Sequence, residues 1–194
     1  MAEALKSEAT MKLIILDRDG VINEDSDEYV KSAEEWLAIP GSIDAIARLS
    51  KAGYTVAVAT NQSGISRGYF DEFELAAMHD KMCALVEEQG GEISGVFFCP
   101  HGPDEDCECR KPKTGLLEQI ECEFGISVSG APFVGDSGKD LLCAKLAGCI
   151  PVLVRTGKGE GTLAESTPNE LDGVQVFGNL KDYVDSLLGT TIAS

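Results

Sequence analysis

Short apolar runs rich in branched and aromatic residues alternate with longer amphipathic stretches along most of the chain. Met11 to Ile15, Tyr54 to Ala59, Gly95 to Phe98, Ala131 to Val134 and Pro151 to Val154 each suit a buried strand, and Val174 to Phe177 suits a short edge strand. Between them the spacing predicts helices from Ser42 to Lys51, Asp71 to Gln89, Thr114 to Phe124, Lys139 to Ala147 and Asn179 to Leu188. Strands that alternate with helices build βαβ units, so the expected class is α/β, three-layered, on a mainly parallel sheet. The Gly-rich segment from Thr156 to Pro168 reads as a mobile surface loop. One domain is expected over residues 11–188, with tails at 1–10 and 189–194.

Parallel strands feed their carboxyl ends toward one edge of the sheet, where ligands bind in open α/β folds. Polar groups follow four of the predicted strands. Asp17 and Asp19 follow the first, with Gly20 to turn the chain away. Thr60 and Asn61 follow the second, Arg110 and Lys111 sit in the loop after the third, and Asp136 and Asp140 follow the fourth. Each taken singly is an ordinary turn, a solvated basic pair or a helix N-terminal acid. Together they meet the needs of phosphoryl transfer, which asks for an in-line nucleophile and neutralised charge. Asp17 is the candidate nucleophile and Asp19 the candidate general acid and base. Thr60 and Lys111 are candidates to hold phosphoryl oxygens. Mg²⁺ prefers oxygen ligands and phosphate, so Asp17, Asp136 and the main-chain carbonyl of Asp19 are its expected ligands, with Asp140 behind them.

A net charge of −17 disfavours nucleic-acid or membrane-surface partners, which demand a basic face. An anionic substrate therefore needs a pocket made locally positive by a metal and a few cations. No apolar stretch approaches the roughly 20 residues of a membrane span. The first ten residues are polar and acidic and lack the features of a signal peptide. A cytoplasmic enzyme with reduced thiols is expected, and a monomer, since one domain this size can bury its own core.

Seven cysteines suit no disulfide framework. Cys83, Cys122, Cys143 and Cys149 read as small core residues. Cys99, His101, Cys107 and Cys109 lie within eleven residues and carry the ligand types of a closed tetrahedral zinc site. Such a site would tie one loop rather than two elements, and would fix Arg110 and Lys111, which follow its last ligand. In the long loop from Glu24 to Ala38, Tyr29 with Asp25 and Asp27 is a candidate flap over the site. Trp36 is expected to pack at the core edge. His79, alone on a predicted helix, is assigned no role.

Asp17-x-Asp19-Gly-Val, Thr60-Asn61, Lys111 and Gly135-Asp136-x3-Asp140 resemble, in order and separation, the four motifs of the haloacid dehalogenase superfamily of phosphatases. Val21 stands where Thr is common. The resemblance implies a Rossmann-like fold, Mg²⁺ and an aspartyl-phosphate on Asp17. Two further segments, Cys99 to Gly115 and Thr60 to Gly68, are similar to the heptose-1,7-bisphosphate 7-phosphatases. That likeness implies a zinc loop, no large cap domain and removal of the 7-phosphate of D-glycero-D-manno-heptose 1,7-bisphosphate during ADP-heptose synthesis for lipopolysaccharide. By the same likeness Arg110 recognises substrate, Lys111 steadies the phosphoryl group, and Asn61, Gln62, Arg67, Asp25 and Tyr29 are substrate-side candidates. Histidinol-phosphate phosphatases share the nucleophile motif and a similar loop and stay as an alternative. A non-catalytic, zinc-stabilised module that accepts phosphate on Asp17 is a reading of another class. The proton donor Asp19 argues against it.

Overall fold

The structure, a computed structural model, describes residues 12–189. Met11, the expected tail at 1–10 and residues 190–194 of the expected tail at 189–194 lie outside the described residues. Six strands form one sheet: β1 (Lys12–Leu16), β2 (Tyr54–Asn61), β3 (Gly95–Cys99), β4 (Pro132–Gly135), β5 (Ile150–Val154) and β6 (Gln175–Phe177). Their order is β3-β2-β1-β4-β5-β6, and every pairing is parallel. Six helices connect them: α1 (Ser42–Lys51), α2 (Glu72–Glu88), α3 (Gly115–Phe124), α4 (Gly138–Leu146), α5 (Gly159–Glu165) and α6 (Leu180–Leu187).

Side chains alternate across each strand, so the sheet buries two separate faces. Ile14, Leu16, Val56 and Val58 meet Ile46 and Leu49 of α1, Met78 and Met82 of α2 and Val184 of α6. Leu13, Ile15, Ala57 and Ala59 meet Leu117 and Ile120 of α3 and Cys143 and Ala144 of α4. These are the three expected layers, and no large cap is present among the described residues. The segment between β1 and α1 is instead a strap. Its Asn23 bridges to Asp19 and Ala38, and Ser42 donates to Ile22 O at 2.6 Å.

Several local expectations need correction. Residues 156–168 are not all loop, because Gly159–Glu165 form α5, where Thr162 Oγ1 donates to Asp136 O at 2.9 Å. Trp36 lies inside the core, fully buried, rather than at its edge, and Lys81 on α2 donates to the carbonyls of Ala33 and Trp36. Thr114 precedes α3 but does not cap it. Its backbone is already helical, and its hydroxyl donates to Glu118 at 2.7 Å. Cys143 and Cys149 are buried as expected, whereas Cys83 is half-buried and Cys122 exposed. Cys122 falls on α3 away from the face that buries Leu116, Leu117 and Ile120.

Candidate active site

Chain order reverses between β1 and β4, which lie side by side while β2 and β5 flank them. A crevice opens at the carboxyl ends of strands at such a switch point. Asp17 follows β1 and Asp136 follows β4, and the Asp17 amide donates to Val134 O at 2.8 Å, locking the two strand ends together. Carboxylate oxygens of Asp17, Asp136 and Asp140 all lie within 4.8 Å of one another. The cleft above them encloses about 440 Å³ and is lined by Asp17, Asp19, Thr60, Arg110, Lys111 and Asp136 among others.

Lys111 is the charge at the centre of this group. It is 2% exposed, and its ammonium reaches Asp17 Oδ1 at 2.9 Å, Asp140 Oδ1 at 2.6 Å and Ala59 O at 2.9 Å. Burial works against its charge, but Asp140 and Asp17 outweigh it and hold the proton more firmly than on a free lysine. Asp140 is spent on bracing, since Oδ1 takes Lys111 and Oδ2 takes the Ser137 amide and hydroxyl in a capping box for α4. Asp17 Oδ1 accepts from the Arg18 amide at 2.7 Å as well as from Lys111. Asp136 Oδ2 accepts from the Lys158 amide at 2.8 Å. Asp17 Oδ2 and Asp136 Oδ1 receive no hydrogen bond from the described residues.

Burial, then the neighbouring Asp140, raises the Asp17 carboxyl well above the ordinary range. The same two causes raise Asp136 to about 7. Two buried carboxylates that repel, each with an oxygen lacking a donor, suit a hard divalent cation. Mg²⁺ fits Asp17 and Asp136. Gly20 and Gly157 press against Asp136 from outside, both at positive φ (80° and 57°), and a Cβ on either would overlap Asp136 Oδ2.

Asp19 stands apart from that cluster. Arg18 forks onto it through Nε at 3.1 Å and Nη2 at 2.9 Å, while Asn23 and Gln62 donate at 2.9 and 2.8 Å. Burial raises its pKa, but Arg18 and these hydrogen bonds more than offset this and leave it below the usual carboxylate value. Gln62 also donates to Thr60 Oγ1 at 2.8 Å, which leaves the Thr60 hydroxyl proton free to point elsewhere.

The substrate-side candidates divide. Arg67 and Arg110 line the cleft. Arg67 lies 5.9 Å over the Tyr29 ring, and Arg110 donates to His101 O at 3.0 Å. Tyr29 adopts a positive φ of 66° and its ring sits 5.0 Å from Tyr69, so the flap residue does reach the rim. Asp25 pairs with Lys158 Nζ at 2.8 Å. Asn61 also lines the cleft, but its amide is engaged with the Lys111 backbone in both directions, at 3.0 and 3.1 Å. Gln62 is 3% exposed, with both ends of its amide engaged. These two side chains build the site more than they face it.

Arg18, Asn23, His79, Lys139 and Lys158 went unassigned in the sequence. A cation between two acids, and a lysine between glycines after β5, were the available signals for Arg18 and Lys158. His79 carried none. It meets Arg18 Nη1 at 3.4 Å.

Below the cleft, Cys99, His101, Cys107 and Cys109 bring their ligand atoms together. Cys109 Sγ is 3.1 Å and Cys107 Sγ 3.8 Å from Cys99 Sγ, and His101 Nδ1 is 3.3 Å from Cys109 Sγ. Tetrahedral zinc with Zn–S near 2.3 Å puts its sulfurs about 3.8 Å apart, which Cys99 and Cys107 meet while Cys99 and Cys109 lie closer, and three thiols with one imidazole are the ligand types it takes.

A family model described as polynucleotide kinase 3 phosphatase matches residues 12–149. A Pseudomonas putida protein named D-glycero-beta-D-manno-heptose-1,7-bisphosphate 7-phosphatase is 62% identical over 158 residues, 81% of this chain and 90% of that protein. A Pseudomonas aeruginosa protein of the same name is 56% identical over 176 residues, 91% of this chain and 97% of its own. The crystal structure of D,D-heptose 1,7-bisphosphate phosphatase from B. bronchiseptica, complexed with magnesium and phosphate, matches with a TM-score of 0.88 at 50% identity. It covers 93% of this chain and 100% of that one. At this identity and coverage the chain belongs to the D-glycero-D-manno-heptose-1,7-bisphosphate 7-phosphatases of the haloacid dehalogenase superfamily, which are phosphomonoester hydrolases.

Proposed function

We propose that this protein removes the 7-phosphate of D-glycero-β-D-manno-heptose 1,7-bisphosphate through an aspartyl-phosphate on Asp17. The observation that carries this reading is the pairing of Asp17 and Asp136 across the β1–β4 crevice, each with one carboxylate oxygen lacking a donor, beside the buried Lys111. The relatives named above act, by name, on the β anomer, and that supports the same preference here.

A carboxylate oxygen of Asp17 attacks phosphorus, and the bond from phosphorus to the sugar oxygen breaks. Asp19 gives that oxygen a proton, then takes one from the water that cleaves the acyl phosphate. Inorganic phosphate leaves and Asp17 returns as a carboxylate. In the resting protein the grip of Arg18 keeps Asp19 ionised; an arriving phosphoryl dianion raises its proton affinity, and Asp19 takes from solvent the proton that it then gives to the leaving oxygen. Lys111 has all three protons engaged. As Asp17 loses its charge to the forming ester, one of them is released toward a phosphoryl oxygen, joined by the Thr60 hydroxyl. Asp17, Asp136 and the Asp19 main-chain carbonyl would hold Mg²⁺, which would supply charge to offset the repulsion between nucleophile and dianion.

The second phosphate needs cations that are not already neutralised. Arg110 and Lys139 line the cleft, and burial, then Arg110 and Lys158, push the Lys139 pKa down. Neither pairs with a carboxylate among the described residues. Zinc at the cysteine loop is structural in this reading and sets the position of Arg110. The place in metabolism is cytoplasmic ADP-heptose synthesis. A monomer is part of this reading, since one domain of this size can bury its own core. No helix among the described residues is long and apolar enough to cross a membrane.

Phosphate release from both heptose bisphosphate anomers, histidinol phosphate and fructose 1,6-bisphosphate tests the assignment. The β anomer is expected to have the highest kcat/KM by about tenfold or more, a discrimination of roughly 1.4 kcal/mol or above. A preference for histidinol phosphate would overturn it.

A further inference from the structure

Arg18 is one of the largest buried side chains in the protein, at 1% exposure. Burying a guanidinium costs several kcal/mol unless its donors are matched. Arg18 spends Nε and Nη2 on both oxygens of Asp19, at 3.1, 2.9 and 3.1 Å, and shares Nη2 with Gln62 Oε1 at 3.1 Å. Its remaining terminal nitrogen, Nη1, reaches His79 Nε2 at 3.4 Å. The Asp19 side chain nevertheless keeps 23% of its surface open, and it lines the cleft. Its carboxylate is therefore held on both oxygens from behind and left open in front.

His79 lies on α2 behind this group, half-buried, with its ring 6.1 Å from Phe98. It does not line the cleft. Burial first, then the charge of Arg18, holds its pKa down at about 3, so the imidazole is neutral and Nε2 can keep a lone pair for Nη1. A carboxylate has two freely turning side-chain torsions, and a proton donor misplaced by 1 Å can lose a hundredfold in rate. We propose that Arg18, seated from behind by His79, is the positioning residue that aims the Asp19 carboxylate at the leaving-group oxygen. This rests on the phosphatase reading above and adds to it the part that controls proton delivery.

Leaving-group dependence separates aim from fold. A sugar oxygen needs a proton to depart, whereas p-nitrophenolate leaves without one. kcat/KM reports the steps through the first irreversible one, here transfer to the enzyme. The test measures kcat/KM on heptose bisphosphate and on p-nitrophenyl phosphate for wild type, His79→Leu, His79→Gln and Arg18→Lys. His79→Leu is expected to lose about tenfold on the sugar phosphate and less than about twofold on the aryl phosphate. His79→Gln, which keeps an acceptor, restores most of the loss. Arg18→Lys, which keeps the charge but not the fork, is expected to lose about a hundredfold on the sugar substrate and far less on the aryl phosphate. Equal losses on both substrates, or none in either His79 variant, would overturn the proposal. If Arg18→Lys does not fold, the His79 pair decides, because those changes leave the buried ion pair in place. A wild type that prefers another alkyl phosphate would refute only the heptose assignment, and the same ratio would be read on that substrate.

Discussion

Asp17 and Asp136 are destabilised by their own charge, and this makes the site sensitive to pH. Both carboxyls bind protons more tightly in the folded protein than an ordinary aspartate does, Asp136 at about 7. From the ordinary value of 3.8 up to about 7, the unfolded chain has released a proton that the fold retains. Metal-free stability therefore falls across that window, and the penalty is complete above it. A divalent cation needs the ionised form, so it must displace the Asp136 proton at pH 6 far more often than at pH 8. The rise in Tm on saturating Mg²⁺ should be larger at pH 8 than at pH 6, measured by thermal unfolding. An equal or smaller rise at pH 8 would contradict the assignment. Asp17→Asn should reduce turnover at least ~10³-fold without lowering the metal-free Tm, since it removes a repelling charge and leaves Lys111 its contact with Asp140. Asp17, Asp19 and Asp136 were legible in the sequence because they follow apolar runs, and Lys111 because it is a cation in the loop leaving the same edge of the sheet. Arg18 and His79 were not. The contact between them crosses from the β1 loop to α2, and no local pattern encodes that approach.

The loop after β3 and the two glycines around Asp136 are the elements that place charge. Cys99 ends β3 and Cys109 directly precedes Arg110 and Lys111, so a metal bound between them fixes both cations. Chelating zinc should lower Tm by at least ~5 °C and kcat/KM by about tenfold or more while the sheet persists in far-UV circular dichroism. Unchanged stability and activity after verified removal would exclude this role. Gly157→Ala forces a Cβ into Asp136 Oδ2 and into the Gly20 backbone at positive φ. It should weaken Mg²⁺ activation by about tenfold, read as the metal concentration at half-maximal rate. The residues of the cysteine loop were readable as a ligand set, since four such side chains fall so close together. α5 was not, because its Gly-rich start looks like a loop. Thr162 reaches Asp136 O and a Cβ at Gly159 would run into Val154 O, contacts that only the fold reveals.

The order β3-β2-β1-β4-β5-β6 puts the single crevice of this sheet between the strands that carry Asp17 and Asp136. Alternation of strand and helix made the parallel sheet predictable, and the strand-end position of the acids then followed from it. The strap between β1 and α1 was harder to read. Its isolated bridges and the seat of Trp36 depend on Lys81 of α2 and on the core beneath. The whole chain also carries −17, against a cleft where six cations stand beside six carboxylates. Raising salt from about 0.01 to 0.1 M shortens screening from about 30 to 10 Å, which hides distant carboxylates more than the cations at the substrate. kcat/KM for the bisphosphate should rise over that range, and a fall would mean that the cleft governs encounter even at long reach. The catalytic reading depends on Asp17 carrying the phosphoryl group in transit. Acid quench during turnover of substrate radiolabelled at the 7-phosphate, followed by peptide mapping, reads this. Label is predicted on the peptide containing Asp17 and absent from Asp17→Asn. Turnover at full rate with no protein-bound label at any quench time, or label on another residue, would contradict it.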